Sequence, residues 1–376
     1  MHQKTHVLQV VTSLEPGGLE NGIVNFSNQL DPDRFKTSIA CLERRGTFAD
    51  RLRGDITLTN LKKPPGFQWP TVRALANLID SDQPDILHTH NLGPLIYGVL
   101  AKFIAKHKPA IIQGEHGELG PDNRTTKRLL IRRLAYRACS KVHTVSHSLR
   151  SSLENLGLSG DNVVTILNGV DCDKFSPASG SALHQNRKEL GIPNDGIVLG
   201  IVGRFVALKG HKRLIQGFEK VASSNKSIFL LIVGDKGDAK EEIVRLIEGS
   251  QFKDQIKWVG FQQETERFFQ MMDVLVVPSD REGLSNVMLE AMACGKPCIV
   301  HPACGASEVI IDGENGLLRD MASQELIADV ITEVTNDNQR LSELGVAALR
   351  HARDHFSLEA MVTAYSTLFE NTAAKR

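Results

Sequence analysis

The chain of 376 residues lacks several features that mark specialised classes of protein. Its six cysteines include no Cys-x-x-Cys pair, so the sequence indicates neither a structural zinc site nor a disulfide framework. We expect buried or incidental thiols in a reducing cytosol. Lysine plus arginine and aspartate plus glutamate number 44 each, so no global field attracts nucleic acid, and any anion site must be local.

Long hydrophobic runs are also missing. The longest apolar runs, such as Ile228–Val233 and Val274–Val277, are far shorter than the roughly 20 residues that a membrane-spanning helix needs. Near the N-terminus, the run His6–Val11 is broken by Gln9 and is too short for a signal-peptide core. The sequence therefore predicts a cytoplasmic protein with no segment that crosses a membrane.

Two common nucleotide-binding motifs are absent as well. No Gly-x-Gly-x-x-Gly fingerprint follows a predicted strand, since Gly200 and Gly203 match only one of its spacings. No Gly-x4-Gly-Lys-Ser/Thr loop exists, because Glu290 occupies the position where Gly295-Lys296 would require the first glycine. A nucleotide site in this chain must be built in another way.

The dominant pattern is a short Val/Ile/Leu-rich run, then a polar or glycine turn, then an amphipathic helix. Such runs are typical of parallel strands that are buried on both faces. The predicted strands are His6–Val11, Thr37–Leu42, Ile86–Thr89, Ala110–Gly114, Lys141–Val145, Val163–Ile166, Ile197–Val202, Ile228–Val233, Ile256–Val259, Val274–Val277 and Cys298–Val300.

This pattern pauses between residues 172 and 196, where small polar residues and turn clusters replace it. We therefore predict an α/β fold of two doubly wound domains that face each other across a cleft, over residues 1–172 and 173–356. The segment 357–376 has helical apolar spacing, and we expect it to pack back on the first domain.

The most informative segment runs from Val274 to Pro297. A buried strand is followed by a polar loop that holds Glu282 and Gly283, and then by a helix from about Asn286. Free amides at the helix start would bind a phosphate, and the glycine permits close approach. Glu290 lies within the helix among apolar residues, where a carboxylate needs a partner. Solvated surface acids are the alternative, which the apolar neighbours of Glu290 disfavour.

Other candidate site residues follow predicted strands. Arg204 and Lys209 come directly after Gly203, and an arginine fork with a lysine charge would suit a diphosphate. In isolation, two exposed loop cations explain them equally well. His116 lies between glycines at a strand end, and the adjacent glycines Gly17 and Gly18 permit close approach of a ligand. A turn histidine without a role is the alternative for His116.

Glu282-x7-Glu290, followed by Ala-Met-Ala-x-Gly, resembles the paired-glutamate signature of the family 4 retaining glycosyltransferases, which have the GT-B fold. The Gly-Arg…Lys-Gly segment also resembles that family, and the resemblance extends over nearly the whole chain. It implies an N-terminal acceptor-binding domain and a C-terminal domain that binds a nucleotide-diphosphate sugar. Lys62–Gly66 and Gly114–Gly117 further resemble the sugar transferases of bacterial exopolysaccharide and exosortase gene sets.

The resemblance also implies a role for each candidate. Glu290 would bind the ribose, Glu282 and His116 the transferred sugar, and Arg204 and Lys209 the departing diphosphate. The remaining donor-binding candidates are Gly17, Gly18, Gly203, Gly234, Phe261, Gly283, Leu284, Ser285, Asn286 and Val287. Many relatives have Phe-Gly where this chain has Leu284-Ser285, and this difference bears on the choice of donor.

The expected activity is retaining, metal-independent sugar transfer without a cofactor, from a UDP-sugar in the first place and GDP-mannose in the second, to a glycan or lipid-linked acceptor. Asp171-Cys-Asp173 matches the Asp-x-Asp metal motif only formally, because it lies in the predicted linker. A sugar-nucleotide epimerase or phosphorylase of the same fold remains an alternative, as does a sugar-nucleotide-binding protein without activity.

Two further clusters have two interpretations each. Arg124–Arg137 predicts a basic amphipathic helix, which is either a solvated face or a contact with anionic lipid at the inner membrane face or with a lipid-linked acceptor. His88 and His90 occupy one face of a strand without an obvious third ligand, so we favour cleft lining or hydrogen bonding over metal binding.

Overall fold

The computed structural model describes residues 4–158, 160–281, 284–302 and 305–375. It divides into two compact units, one of residues 1–168 with 358–376 and one of residues 169–357. Each unit holds a single parallel sheet covered by helices. The α/β class and the two doubly wound domains predicted from the sequence are confirmed.

In the described part of the first unit, seven strands form one sheet in the order β3-β2-β1-β4-β5-β6-β7. The strands are β1 (Thr5–Ser13), β2 (Phe35–Arg44), β3 (Thr57–Asn60), β4 (Ile86–His90), β5 (Ala110–Glu115), β6 (Lys141–Thr144) and β7 (Val163–Thr165). The helices are α1 (Gly18–Gln29), α2 (Trp69–Asp82), α3 (Leu92–Ile104), α4 (Thr126–Arg137), α5 (His147–Asn155) and the last helix of the chain, α14 (Leu358–Ala373).

The described part of the second unit repeats this strand order in a six-stranded sheet, β10-β9-β8-β11-β12-β13. Its strands are β8 (Ile197–Val202), β9 (Ile228–Val233), β10 (Ile256–Trp258), β11 (Val274–Val277), β12 (Cys298–Val300) and β13 (Gly316–Leu318). Its helices are α6 (Gly180–Glu189), α7 (His211–Ala222), α8 (Lys240–Gly249), α9 (Glu266–Met271), α10 (Asn286–Ala293), α11 (Ala306–Val309), α12 (Gln324–Thr335) and α13 (Asn338–His355).

The central strands are buried on both faces, as their apolar runs predict. Every residue of β9 and β11 is buried, and so is every residue of β4 and β5. The two described sheets contain only parallel pairs, so the carboxyl ends of neighbouring strands lie along one edge of each sheet. Loops at that edge are where doubly wound sheets place ligands.

Helix α14 packs on the first unit, although it follows the second in sequence. The ring of Tyr365 stacks on that of Phe26 in α1 with centroids 4.7 Å apart, and Phe369 meets Phe35 edge to face. At the exposed end of the contact, Arg34 forms an ion pair of 2.6 Å with Glu370. Aromatic pairs of this kind stabilise beyond the area that they bury, so the helix is an integral part of this unit.

No helix within the described ranges combines the length and apolar character needed to cross a membrane. Five of the six cysteines lie in those ranges; all five are free, and four of them are buried. Burial raises the pKa of the Cys41 thiol to about 12, which keeps this group protonated and unreactive at neutral pH. The prediction of buried or incidental thiols is confirmed for these five.

Candidate functional site

The candidate cations lie in the loop after β8. Arg204 is exposed and follows Gly203 directly, while Lys209 ends a short 3-10 turn and is half-buried. Gly210 then takes a left-handed conformation with φ of 74°, and α7 begins at the next residue. The lysine side chain folds back over the strand end, because its Cδ and Cε lie 3.8 Å from where a Cβ on Gly203 would be.

Lys209 reaches a small pocket at the carboxyl ends of β8 and β11. Val287, in the first turn of α10, lines the same pocket. The full lining is Ile201, Val202, Lys209, Val276, Val277, Pro278, Ser279 and Val287. The structure therefore brings a predicted phosphate-binding cation next to the predicted phosphate-binding helix start.

Gly234 holds the neighbouring loops close together. Its φ is 149°, and a Cβ at this position would overlap the carbonyl oxygen of Gly203. Its amide donates to the carbonyl of Gly260 over 2.8 Å, so the loops after β8, β9 and β10 meet here. The adjacent Phe261 is 41% exposed, and the ammonium of Lys236 lies 5.4 Å from its ring centroid. The ring is thus available at the edge of the sheet.

Helix α10 carries most of the paired-glutamate segment. Leu284 and Ser285 are buried before it, whereas Asn286 and Val287 are half-buried in its first turn. Glu290 is only 8% exposed, and a carboxylate at that depth is not a solvated surface charge. Glu282 and Gly283 lie outside the described residues, so their predicted contacts with the sugar and phosphate remain predictions.

In the first unit, His116 comes directly after β5 and belongs to a cluster of imidazoles. Its Nε2 lies 2.9 Å from Nδ1 of His90, and Nε2 of His90 lies 2.8 Å from Oε1 of Gln9. A second pair joins Nε2 of His88 to Nε2 of His143 over 2.9 Å. Strands β1, β4 and β6, together with the loop after β5, therefore supply one polar layer toward the carboxyl edge of the sheet.

Desolvation keeps these histidines neutral, although His116 is half-buried whereas His88, His90 and His143 are at most 1% exposed. Desolvation holds the pKa of His88, of His90 and of His143 well below the usual value, and it lowers the pKa of His116 to about 3. A neutral imidazole has one nitrogen that donates and one that accepts, which suits recognition of hydroxyl groups rather than phosphate.

Gly114 of β5 makes room for the cluster. A Cβ on this residue would lie 2.7 Å from Nε2 of both His116 and His143. Its backbone has no left-handed φ, so space rather than conformation is what requires glycine here. The position of Gly114 in the register, beside His90 and His143, shows that the strand pairing itself assembles the imidazoles.

Four residues of this layer were not predicted as site residues. Gln9 and His143 contact the other imidazoles although they are far apart in sequence, and His88 and His90 were singled out only as a strand pair without a site role. Hydrogen bonding, one of the two roles favoured for His88 and His90, is confirmed, but both are at most 1% exposed and line no cleft. The sequence signal that could have found the layer is Gln9, a polar residue inside an apolar strand.

Within the described ranges no group of three or more potential ligands could hold a metal ion. Gly17 caps α1 at its N-terminus with an extended backbone, and Gly18 is the first helical residue. A Cβ on Gly17 would overlap the carboxylate of Glu20, which therefore lies against the helix start. A phosphate at that start would require this side chain to move, because the two anions would repel each other.

The basic segment differs from its prediction in two respects. Arg124 lies in a separate 3-10 turn, where it pairs with Glu118, and is not part of α4. Arg132 is 3% exposed and pairs with the equally buried Glu115, which also accepts a hydrogen bond of 2.8 Å from Tyr136. Placing Arg132 on the exposed basic face was wrong, because the helix turns this residue toward β5. The exposed face is Lys127, Arg128, Leu130, Arg133, Leu134 and Arg137.

Comparison with known proteins identifies the family. Residues 16–174 match the family model described as Glycosyltransferase Family 4, and residues 184–351 match the one described as Glycosyl transferases group 1. Together the two matches extend over most of the chain. The chain therefore belongs to the glycosyltransferase family that these two models describe. Its two doubly wound domains are those of the GT-B fold.

Curated relatives include enzymes of several pathways. An N-acetyl-alpha-D-glucosaminyl L-malate synthase of Bacillus anthracis is 26% identical over 81% of this chain and 79% of the relative. The capsular polysaccharide biosynthesis glycosyltransferase CapM of Staphylococcus aureus is 25% identical over 79% of this chain and 80% of its own length. The glycosyltransferase assignment thus holds over both units, while the named substrates differ between relatives.

Solved structures show the same fold. The glycosyltransferase matches Anabaena Alr3699/HepE, solved in complex with UDP and glucose, with a TM-score of 0.86 and 23% identity over 97% of this chain and 99% of the other. A sucrose-phosphate synthase of Thermosynechococcus elongatus matches with a TM-score of 0.84 and 18% identity, over 99% of this chain and all of the other. At such identities the likeness establishes the architecture alone.

Proposed function

We propose that this glycosyltransferase transfers a sugar from a nucleotide-diphosphate sugar, with retention of configuration and without a metal ion, to a glycan or lipid-linked acceptor. A UDP-sugar is our first choice of donor and GDP-mannose the second. The second unit would bind the nucleotide part and the first unit the acceptor. The observation that carries the proposal is the pocket that Lys209 shares with Val287, which lies three residues before Glu290 in α10.

The leaving group explains the cations. As the bond between sugar and diphosphate breaks, negative charge develops on the departing phosphate. Lys209 and Arg204 would stabilise that charge together with the amides at the start of α10. Because these groups carry fixed positive charge, they take over the role that a metal ion has in other transferases. The buried Glu290 would hold the ribose hydroxyls, and Phe261 would lie beside the nucleoside.

Retention would follow from attack on the face that the leaving group vacates. The sugar passes through an oxocarbenium-like state while the diphosphate is still bound. An oxygen of that diphosphate can take the proton of the attacking hydroxyl, so no dedicated base is required. His116 would then hold a hydroxyl of the sugar, which fits its neutral imidazole better than a contact with phosphate.

Substitution of the cations tests this mechanism. Arg204→Ala and Lys209→Ala should each lower turnover by about a hundredfold or more, since preorganised groups that stabilise developing charge contribute on that scale. Lys212→Ala is the matched control, because Lys212 is an exposed lysine nearby that pairs with Glu242 over 2.7 Å. Near-normal turnover of the first two variants would contradict the proposal, as would complete inhibition by EDTA.

The donor can be identified with a thermal-shift screen against UDP, GDP and ADP. We expect UDP to raise the melting temperature most, since a ligand that binds only the native state stabilises it by mass action. Incubation with donor alone then separates the alternatives. An epimerase converts the donor without any acceptor, and a binding protein without activity leaves both donor and acceptor unchanged.

The exposed face of α4 supports an acceptor at a lipid surface. Leu130 and Leu134 are 56% and 55% exposed, and Lys127 and Arg137 flank them one turn away on either side. Such a face binds anionic membranes through apolar burial and charge together. We expect the chain to sediment with vesicles that contain phosphatidylglycerol, and a variant with Leu130→Gln and Leu134→Gln to remain in the supernatant. Equal sedimentation of both proteins would contradict this.

A further inference from the structure

A chain of hydrogen bonds runs across the sheet of the first unit and ends on His116. It begins at Gln9 in β1, which is completely buried, and its Oε1 faces Nε2 of His90 in β4 at 2.8 Å. Nδ1 of His90 then faces Nε2 of His116 at 2.9 Å. Among the described residues the His116 ring makes no other hydrogen bond, so its Nδ1 is left for a ligand.

The direction of this chain follows from what each atom can do. With the amide oxygen of Gln9 facing the ring, Nε2 of His90 carries the proton, because an amide oxygen only accepts. A neutral ring has one proton, and Nδ1 of His90 therefore accepts. Nε2 of His116 must then be the donor to His90, and its Nδ1 has a lone pair and no proton.

We propose that Gln9 and His90 are positioning residues that fix the tautomer of His116, so that its Nδ1 accepts a hydrogen bond from a hydroxyl of the transferred sugar. The identity of the ligand rests on the proposed function, whereas the tautomer itself does not. The site would select a hydroxyl donor at this position of the sugar and would disfavour a group that can only accept.

Three features of the layer hold the chain in this arrangement. Burial lowers the pKa of His90 and of His116, so neither ring gains a second proton near neutral pH. The His88 and His90 rings pack with centroids 4.2 Å apart, and the absence of a side chain at Gly114 admits the His116 ring. His88 pairs with His143 and is not a member of this chain of hydrogen bonds. A ring that is packed and hydrogen-bonded in this way has one orientation and one tautomer.

Nitrogen-15 NMR of the ligand-free, histidine-labelled full chain tests the tautomer directly. Long-range correlations distinguish protonated from unprotonated ring nitrogens in each histidine, and His116→Gln assigns the signals by difference. We expect the wild-type His116 to have a protonated Nε2 and an unprotonated Nδ1 at pH 7.5. A protonated Nδ1 would overturn the proposal, because it would show that the Gln9 amide donates to His90 and that the chain runs in the opposite direction.

Substitutions at position 9 test the role of the glutamine. Gln9→Met removes the acceptor, so both tautomers of His116 should become populated. Gln9→Glu retains acceptor oxygens in the same place and should preserve the wild-type tautomer. His6→Asn is the matched control, since His6 is a buried histidine of β1 that bonds Ser38 and lies outside the imidazole layer. An unchanged His116 tautomer in a folded Gln9→Met variant would show that Gln9 does not set it.

Activity separates the proposal from the proposed function. Gln9→Met should lower kcat/KM for the donor about tenfold, on the scale of other groups that orient a ligating histidine, while Gln9→Glu and His6→Asn retain more activity. A donor with fluorine in place of the contacted hydroxyl cannot donate to Nδ1 of His116, so the wild type and Gln9→Met should use it equally well. If the tautomer is as proposed but His116→Gln is fully active, the role of His116 in transfer is wrong and the tautomer assignment still holds.

Discussion

The two units have the same strand order but carry different chemistry at the carboxyl edges of their sheets. The first places neutral, buried imidazoles there, whereas the second places Arg204 and Lys209 in the loop after its first strand. Neutral imidazoles suit hydroxyl groups, and fixed cations suit phosphate. The comparison teaches that the topology sets where a site forms, while the side chains at the strand ends decide what it binds.

Acid should affect the two units unequally. Within the described part of each unit, burial lowers the pKa of five histidines in the first (His6, His88, His90, His116 and His143) but of two in the second (His211 and His351). The unfolded chain takes up these protons first, so the stability that the neutral rings provide is complete above pH of about 6.5 and is lost as the pH falls below it. The first unit should therefore unfold at the higher pH.

The two tryptophans allow each unit to be followed separately. Trp69 lies in α2 of the first unit and Trp258 in β10 of the second, so Trp258→Phe and Trp69→Phe each leave one reporter. Fluorescence of the two variants should be titrated from pH 7.5 downward. If the native fluorescence of Trp69 and Trp258 is lost at the same pH, or that of Trp258 at the higher pH, the predicted difference in acid stability between the units is wrong.

Loss of the buried ion pair between Glu115 and Arg132 should have the next largest effect, on the stability of the first unit. Arg132→Ala leaves a carboxylate that is 2% exposed without its countercharge, which should lower the free energy of unfolding of the first unit by about 3–5 kcal/mol. Urea unfolding followed at Trp69 measures it. Arg137→Ala on the exposed face of α4 is the control and should change the stability by less than about 0.5 kcal/mol. Equal changes in the free energy of unfolding for Arg132→Ala and Arg137→Ala would show that Arg132 is solvated.

Alanine substitutions of glycines compare the packing at the carboxyl edges of the two sheets. Gly114→Ala in the first unit meets the ends of imidazole rings and should cost about 1–3 kcal/mol, as overpacking does. Gly234→Ala in the second unit meets backbone at a φ of 149° and should cost more, since backbone cannot move aside as a side chain does. Gly22→Ala in α1, where the space is open, should instead stabilise by about 0.5–1 kcal/mol. Thermal unfolding of the three variants checks this order.

Local pattern predicted most of the fold. Every strand predicted from an apolar run overlaps a strand of the structure, and the predicted helix at Asn286 begins there. The strands β3 and β13 were missed because neither contains an apolar run: Thr57–Asn60 has one apolar residue and Gly316–Leu318 has two. Short strands of this kind are fixed by pairing with a neighbour and carry little periodicity of their own.

The candidate site was predicted only where one stretch of chain contains it. The loop after β8 and the start of α10 are local features, and both were found. The imidazole layer joins His88 to His143, 55 residues apart, through the register of three strands. Likewise, nothing in the sequence around Arg132 indicates that Glu115 faces it from β5. Such pairs depend on tertiary packing, which a pattern of spacing does not determine.

Binding of UDP to the matched lysine variants tests the central claim most directly. Lys209→Ala removes a charged group proposed to contact the diphosphate, so isothermal titration should show UDP affinity lowered by about ten- to a hundredfold, the scale of a hydrogen bond to a charged group. Lys212→Ala, which alters an exposed ion pair nearby, should bind UDP as the wild type does. Equal affinity of Lys209→Ala and wild type would contradict the role of Lys209, and no binding of either UDP or GDP to the wild type would contradict a nucleotide-diphosphate site in the second unit.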